Sequence, residues 1–481
     1  SLTDMPLPAN LISTDTRKIP TGCLFFALKG ENFDAHHFLL DAQKKGALGL
    51  VIDVGWWNQQ APSEQKILQA GGLVLGVSCV RQALIDFAKA YRRQFQLSVI
   101  ALTGSCGKTT VKEMVASILK EVVLQKETPE KETPEKEKLA IAASRVLYTS
   151  GNLNNDIGVP LMCAQLTAQH DYAVFELGAN HQGEIALTSD IVKPDVALVN
   201  NVGEAHLEGF GSVEGVLQAK MEIYESLSSD GVAIVNADSP FYSHLKDKTR
   251  YLKTLTFSDP LQNKHSHAGD ADIKLLQVEP LSFSQFLYRA EVQTPLGIFS
   301  FSTRLMGRHN IQNSLAAIAC VLPFVSDPAL IIRGLENVRA VSGRLCYEKV
   351  SDHLYLVDDT YNANPLSMQA ALSAFDELTS SQYRGFEKIF VVGDMFELGI
   401  HSEKAHRDLG SQANLYGVTT MIAIGAFAST AILDFAKEKH AFETHEQAES
   451  VLAEKLTSKA FFLIKGSRGA RMEKIVQRLK A

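Results

Sequence analysis

Short runs of apolar, often β-branched residues recur along the chain, each followed by a polar or glycine-rich segment and a stretch with helical spacing. Continuous apolar runs are typical of parallel strands buried on both faces, whereas alternating runs indicate half-buried strands. The runs that predict strands are LFFAL (24–28), GLVID (49–53), LVLGV (73–77), VIALT (99–103), AVFE (173–176), VALVN (196–200), VAIVN (232–236), LYLVD (354–358), IFVVG (389–393), MIAIG (421–425) and FFLIK (461–465). This repetition predicts an α/β protein of three consecutive domains.

The domain boundaries are predicted near residues 97 and 340. The helical stretch Arg81–Phe95 ends just before the first boundary, and Ser342-Gly343-Arg344 follows the second. The predicted domains therefore span residues 1–96, 97–340 and 341–481.

One segment breaks this pattern. Residues 126–138 read KETPEKETPEKEK, a tandem repeat with two prolines and almost no apolar side chains. Proline interrupts helices and the charges resist burial, so we expect a charged surface insertion in a solvated loop. A partner-binding role for it is the alternative to an inert insertion.

Composition narrows the class of protein. The chain has 481 residues, of which 46% are hydrophobic and 21% charged, with a formal net charge of −7. Such values are typical of soluble globular proteins, and the acidic balance argues against nucleic-acid binding. The six scattered cysteines include no C-x-x-C pair, which fits a reducing compartment. With neither a signal-peptide pattern nor a long apolar run, we expect a cytoplasmic monomer without membrane insertion.

A phosphate-binding loop is predicted between the run VIALT and the helical stretch VKEMVASILK. The loop comprises Gly104, Ser105, Cys106, Gly107, Lys108, Thr109 and Thr110. Glycines let backbone N–H groups converge on phosphate oxygens at a helix N-terminus. Lys108 can contact the β- and γ-phosphates of ATP, and the Thr109 hydroxyl can bind Mg²⁺. The motif is incomplete, because Leu102 stands where the first glycine of G-x-x-x-x-G-K-[ST] is expected.

Polar residues follow several later strands, where ligands bind in open α/β sheets. Glu176 follows AVF and is a suitable oxygen ligand for Mg²⁺. His206 lies in a glycine-flanked loop beyond VALVN, where a structural and a functional histidine are equally plausible. The helix N-terminus and Lys108 favour a low thiol pKa and a reactive Cys106, but a small inert residue that fits the loop is the preferred interpretation.

Nine separate motifs together resemble the Mur ligase family of peptidoglycan synthesis. They are TGSCGKTTVKEM, GNLNNDIGVP, FELGANHQGEI, NNVGEAHLEGFGS, GRHNIQNSLAA, SGRL, DDTYNANPLSM, VVGDMFELG and KGSRGARME. The resemblance implies the three-domain Mur ligase architecture, with a central P-loop ATPase domain and a C-terminal Rossmann-like domain. It implies an ATP-dependent ligase that adds D-alanyl-D-alanine to UDP-N-acetylmuramoyl tripeptide through an acyl phosphate.

The resemblance also implies roles for particular residues. Thr109, Glu176, His206 and a carbamylated Lys220 become magnesium ligands at two expected metal sites, although Lys220 alone would suit a solvated helix position equally. Further ATP contacts are implied for Asn310, Arg344 and Asp359. The implied substrate contacts are Ser13, Thr14, Asp15, Arg17, Lys29, Gly30, Asn152, Asn154, Asn155, Asn362 and Asn364.

Two of these assignments have direct alternatives. The segment STDTRK at residues 13–18 also suits an ordinary polar turn. Arg468 can bind the dipeptide carboxylate bidentately, or it can form a structural salt bridge. At the level of the whole protein, the alternatives are a sister ligase that adds a single amino acid, a folylpolyglutamate synthase-like enzyme and a nucleotide-dependent switch.

Overall fold

The computed structural model describes residues 11–126, 135–262, 269, 271–282 and 287–480. Within them the chain forms three sheets in succession. The first has four parallel strands in the order β1-β2-β3-β4. Its elements are β1 (Ile12–Ser13), β2 (Leu24–Phe26), α1 (Leu39–Lys44), β3 (Gly49–Asp53), α2 (Val54–Asn58), α3 (Pro62–Ala70), β4 (Leu73–Val77) and α4 (Val80–Arg92).

The second sheet has nine strands in the order β13-β12-β11-β10-β9-β8-β5-β7-β6. Its strands are β5 (Ser98–Thr103), β6 (Val146–Tyr148), β7 (Tyr172–Glu176), β8 (Val196–Val199), β9 (Val232–Asn236), β10 (Lys253–Ser258), β11 (Ile273–Ser282), β12 (Leu287–Thr294) and β13 (Gly297–Thr303). Its helices are α5 (Lys108–Lys126), α6 (Glu135–Arg145), α7 (Gly158–Cys163), α8 (Glu184–Val192), α9 (Leu207–Phe210), α10 (Val213–Met221), α11 (Tyr242–Lys248), α12 (Arg308–Val321) and α13 (Pro328–Asn337).

The third sheet has six strands in the order β14-β15-β19-β16-β17-β18, and only the β14–β15 pair is antiparallel. Its strands are β14 (Cys346–Lys349), β15 (Leu354–Asp359), β16 (Glu387–Gly393), β17 (Thr420–Ile424), β18 (Glu438–Phe442) and β19 (Ala460–Lys465). Its helices are α14 (Pro365–Gln382), α15 (Ser402–Leu415), α16 (Glu449–Lys455) and α17 (Glu473–Lys480).

All eleven apolar runs form strands, within two residues of the predicted limits. The predicted boundaries near residues 97 and 340 fall between sheets, and as domain limits they stay predictions. The expectation of burial on both faces is wrong for β4, where Leu73 is 45% and Leu75 39% exposed, because β4 is an edge strand.

The predicted runs do not include strands β11, β12 and β13, which pair antiparallel as β11–β12 and β12–β13. Strand β12 alternates between buried and more exposed positions along LYRAEVQT. A search for continuous apolar runs overlooks such a strand, since only one of its faces is covered.

The predicted insertion loop is shorter than residues 126–138. Lys126 is the last residue of α5 and Glu135 is the first of α6, so the loop prediction is wrong at both ends. Residues 127–134, which contain both prolines, lie outside the described residues.

The central core forms around β5 and α5. Strand β5 lies between β7 and β8, and its residues 99–103 are buried. Helix α5 buries residues on all sides, since it packs against the sheet on one side and against α12 and α13 on the other. A strand and a helix with so little freedom hold the loop between them rigidly. Among the described residues, no helix is long and apolar enough to cross a membrane.

We expect Gly334→Ala to destabilise the fold by about 1–3 kcal/mol through overpacking. A Cβ at Gly334 would lie 2.4 Å from Cα of Ile118, where α13 crosses α5. The measurement is urea unfolding followed by circular dichroism. Gly269→Ala is the control, because a Cβ there meets no atom of the described residues within 4 Å. Equal midpoints for the two variants would contradict the close helix crossing.

Candidate functional site

A cavity of about 1200 Å³ opens where the three sheets face one another. Its wall includes the predicted phosphate loop, Glu176 and the loop at residues 152–157, together with segments from the first and third sheets. The carboxyl ends of β5, β7 and β8 point to this wall, as expected for a ligand site in an open parallel sheet.

The predicted phosphate loop links β5 to the first residue of α5, Lys108. Gly107 has a φ of +76°, and a Cβ there would lie 2.6 Å from Oδ1 of Asn313. Only glycine avoids both the backbone strain and this clash. Asn201 accepts a hydrogen bond from the Cys106 N–H at 2.9 Å and donates to its carbonyl at 3.0 Å. The loop is therefore preformed by neighbouring side chains.

Glu176 lies at the end of β7, directly opposite the loop. One of its carboxylate oxygens accepts a hydrogen bond from the Thr109 hydroxyl at 2.7 Å, and the other accepts one from Nδ2 of Asn154 at 2.9 Å. Its backbone N–H donates to the Thr149 hydroxyl at 2.9 Å. The structure thus brings together Thr109 and Glu176, which were predicted to bind a cation, and Asn154, which was predicted to bind substrate.

Two lysines lie behind the loop. Burial lowers the pKa of Lys108, whose Nζ donates to the Gly104 carbonyl at 2.7 Å. Lys220 is only 3% exposed, and its pKa lies well below the usual value, mainly because of burial and then because of the positive charge of Lys108. The alternative of a solvated helix lysine at position 220 is therefore wrong.

His206 lines the cavity in a left-handed backbone conformation, with a φ of +53°. Its Nδ1 lies against a carboxylate oxygen of Glu397, which has a φ of +65° and belongs to the loop after β16. The pKa of Glu397 is lowered, first by its hydrogen bond with His206. His206 is therefore oriented by a carboxylate from the third sheet, and its predicted role as a magnesium ligand stays a prediction.

The region of the third sheet contributes two cationic groups to the cavity and one direct contact to the phosphate loop. Lys465 is buried and pairs with Asp359 at 2.6 Å. The guanidinium of Arg344 lies 4.1 Å from the ring centroid of Tyr361, a cation–π distance. Asn364 donates from Nδ2 to the Ser105 carbonyl at 3.2 Å. Asn310, Asn362 and Arg468 also line the cavity.

The residues predicted to bind the uridine end separate into two groups. Lys29 and Gly30 line the cavity, whereas Ser13, Thr14, Asp15 and Arg17 are not among its lining residues. Arg17 instead pairs with Asp15 at 2.7 Å, and this bond holds the pKa of Asp15 at about 2. This is the polar turn that the sequence also allowed, and a substrate contact there stays a prediction.

The sequence analysis missed part of the wall near the first sheet. His36 is buried, donates from Nδ1 to Asp34 at 2.6 Å and stacks on Trp56 at 4.8 Å. Arg81, at the start of α4, pairs with Asp156, and both residues line the cavity. Trp56, in the run GWWN, lines the cavity. This run was the sequence signal that could have indicated this part of the wall, since tryptophan occurs only twice in the chain.

The oxygen atoms of Thr109 and Glu176 suit a magnesium ion, which prefers oxygen ligands and retains several waters or phosphate oxygens. Among the described residues, no group of three or more His, Cys, Asp or Glu is arranged to hold a metal ion. The fit is therefore to a cation that shares its ligands with a bound phosphate, rather than to an all-protein site.

The expectation of a low thiol pKa at Cys106 is wrong, because burial raises the pKa of that thiol despite the nearby Lys108. We expect iodoacetamide at neutral pH to label the exposed Cys79 at least about tenfold faster than Cys106. Peptide mass spectrometry over time measures both rates, with Cys79→Ser as the control. Rapid labelling of Cys106 that ATP suppresses would contradict the prediction.

Comparison with known proteins agrees with this architecture. Residues 102–321 match the Mur ligase middle domain, and residues 343–468 match the Mur ligase, glutamate ligase domain. The UDP-N-acetylmuramoyl-tripeptide–D-alanyl-D-alanine ligase of Escherichia coli is 38% identical, over 98% of this chain and 93% of that protein.

Solved structures show the same fold over nearly the full length. The crystal structure of MurF from Acinetobacter baumannii is 35% identical and has a TM-score of 0.82, over 98% of this chain and 93% of that one. MurF ligase from Thermotoga maritima in complex with ADP is 24% identical and has a TM-score of 0.77, over 99% and 98% of the two chains. From these sequence matches and the shared fold it follows that the chain belongs to the Mur ligase family.

Proposed function

We propose that the chain is an ATP-dependent ligase that adds D-alanyl-D-alanine to UDP-N-acetylmuramoyl tripeptide, giving the pentapeptide precursor of peptidoglycan. The observation that carries the proposal is the phosphate loop, with Thr109 bonded to Glu176, at the centre of a cavity that all three sheets line. The relative from Escherichia coli, which bears the name of this activity, spans 98% of the chain.

ATP is the proposed nucleotide. Lys108 stands at the N-terminus of α5, where backbone N–H groups and the helix dipole favour phosphate. The Thermotoga maritima relative, which shares the fold, was solved in complex with ADP. The adenine is proposed to lie beside Asn310, with Arg344 and Asp359 approaching the phosphates from the third sheet.

The reaction has two steps. The tripeptide carboxylate attacks the γ-phosphorus of ATP, ADP leaves, and an acyl phosphate forms. The free amine of the dipeptide then attacks the acyl carbon, loses a proton, and expels inorganic phosphate as the amide bond forms. Both partners of the first step are anions, so catalysis depends on positioning and on neutralisation of charge. Lys108 supplies one positive charge, and the buried Lys465 and the half-buried Arg344 border the same cavity.

Magnesium is the proposed cofactor, at the two sites suggested by the family resemblance. A bound magnesium ion would neutralise charge on the transferring phosphoryl group. Thr109 and Glu176 would hold it, with His206 and a carbamylated Lys220 as further ligands. The low pKa of Lys220 supports this modification, because only a neutral amine reacts with CO₂ and a protonated lysine has no acceptor for a cation.

The tripeptide is proposed to lie along the loop that contains Asn152, Asn154 and Asn155, with its uridine end toward the first sheet near Lys29 and Gly30. Arg468 is 67% exposed and pairs loosely with Glu473 at 3.3 Å, so it is free to bind the carboxylate of the dipeptide. We propose that the enzyme acts as a monomer in the cytoplasm, where its six free cysteines stay reduced.

Phosphate release from ATP and Mg²⁺ tests the function. We expect release only when UDP-muramoyl tripeptide and D-alanyl-D-alanine are both present, with the pentapeptide identified by mass. Lys108→Ala should reduce ADP formation by at least about 100-fold, because one donor at developing charge contributes on this scale. Acceptance of single amino acids in place of the dipeptide would instead indicate a sister ligase, and turnover without either substrate would indicate a nucleotide switch.

The carbamate predicts a specific rescue. Lys220→Ala should lose most activity and recover part of it with added acetate or another short carboxylate, which replaces the missing anionic oxygen. A carbamate signal in ¹³C NMR after equilibration with labelled CO₂ should be present in the original chain and absent in the variant. Full activity of the variant without any carboxylate would show that Lys220 is not modified for catalysis.

A further inference from the structure

A histidine and a carboxylate pair on the cavity wall, in the segment that follows β7. Nδ1 of His181 lies 3.2 Å from Oε1 of Glu184, and both residues line the cavity. Because a carboxylate only accepts hydrogen bonds, Nδ1 is the donor and Nε2 keeps its lone pair. The His181 side chain is 69% exposed, which leaves Nε2 accessible to a ligand in the cavity.

The segment that carries this pair is held in one conformation. Oε2 of Glu184 accepts a hydrogen bond from the Asn180 N–H at 2.8 Å, and Glu184 is the first residue of α8, where the helix dipole favours a negative charge. Gly183 has a φ of +84°, and its N–H donates to Glu222 at 2.7 Å. The carboxylate is therefore fixed beside the ring of His181, where its negative charge can stabilise an imidazolium.

Helix α9 packs against this segment. A Cβ at Gly209 would lie 3.5 Å from Cδ2 of His181 and would also clash with the Asn180 carbonyl. His206, which immediately precedes α9, lines the same cavity. The ring of His181 therefore lies close to the turn that carries His206, near the proposed site of phosphoryl transfer.

The same short helix connects the pair with the proposed dipeptide site. The Glu208 N–H donates at 3.1 Å to the carbonyl of Glu397, in the loop after β16. In that loop the ring of Phe396 lies 2.9 Å from the position that a Cβ would take at Gly469, next to Arg468. A dipeptide spans at most about 7 Å. With its carboxylate held by Arg468, its amine stays on the side of the cavity that the histidine–carboxylate pair borders.

The second step of the proposed reaction needs a proton acceptor, since the attacking nitrogen must lose a proton as the amide forms. Among the described residues, the histidines that line the cavity are His36, His181, His206 and His309. Both ring nitrogens of His36 already have hydrogen-bond partners. Burial lowers the pKa of His309 to about 4, which makes it a weak base. His206 is proposed to bind magnesium, and a nitrogen bound to a cation has no lone pair for a proton.

We propose that His181 is the catalytic base of the amide-forming step and that Glu184 positions it. This rests on the proposed function, which supplies the acyl phosphate and the attacking amine. As the neutral amine nitrogen bonds to the acyl carbon, Nε2 of His181 takes one of its two protons. The bond from the acyl carbon to the phosphate oxygen breaks, and its electron pair leaves with the phosphate. The imidazolium then returns the proton to the released phosphate, which regenerates the base.

Two nucleophiles separate this step from acyl phosphate formation. Hydroxylamine is neutral at neutral pH and attacks acyl phosphates without a base, giving a tripeptide hydroxamate that mass spectrometry identifies. We expect His181→Gln to lower kcat with D-alanyl-D-alanine by roughly 100-fold or more, the usual contribution of a general base. Hydroxamate formation from ATP and UDP-muramoyl tripeptide should stay within about threefold of the original rate, which also shows that the variant folds.

Three further variants serve as references. His244→Gln changes an exposed histidine of α11 that is not among the cavity-lining residues, and it should leave both rates unchanged. His206→Gln should lower both rates together, because its proposed role precedes the acyl phosphate. Glu184→Gln should lower only the dipeptide rate, and by less than His181→Gln, since the amide oxygen still accepts from Nδ1 but carries no charge.

A normal dipeptide rate in His181→Gln, or an equal loss with both nucleophiles, would overturn the inference and leave the ligase assignment intact. Failure of the original chain to form either hydroxamate or pentapeptide would instead refute the proposed function, on which the inference depends.

Discussion

The carbonyl of Cys106 is held by two neighbouring asparagines, and the site is built around that contact. Asn200 and Asn201 follow β8 and both donate to this oxygen, at 3.2 and 3.0 Å. They fix a loop whose other end is the first turn of a buried helix. Because β5 and β8 are adjacent in the sheet, the loop and its supports move as one rigid unit. Every later contact of the cavity is placed relative to this unit.

Positively charged side chains lie beside the phosphate loop, although the chain as a whole is acidic. The formal net charge is −7, yet Lys108 and Lys220 lie close together behind the loop, and the pKa of each is lowered chiefly by burial. Two ammonium groups buried so close together would oppose folding, and this cost falls where one of them is neutral or where an anion binds beside them. Phosphate groups bound at the loop would be neutralised by this positive charge, as the transfer of a phosphoryl group to an anionic carboxylate requires.

Contacts between sheets complete the site. Asn364 reaches the loop from the third sheet, and Glu397 from the same sheet orients His206. Two residues with positive φ face each other at that second contact, a strained arrangement that persists only where surrounding packing enforces it. His206 and the phosphate loop therefore depend on how the third sheet docks. Such docking would also exclude water from an acyl phosphate.

The sequence by itself determined the local elements and their chemistry. Apolar runs predicted eleven of the strands, and the glycines before Lys108 predicted the phosphate loop, because strand burial and positive φ each restrict the residue type at single positions. The Asn200–Asn313 contact, the Glu397–His206 pair and the burial of Lys220 were decided only by tertiary structure. Each joins or encloses residues from separate elements, and a side chain's partners across such distances depend on sheet order and helix packing, which no local pattern records.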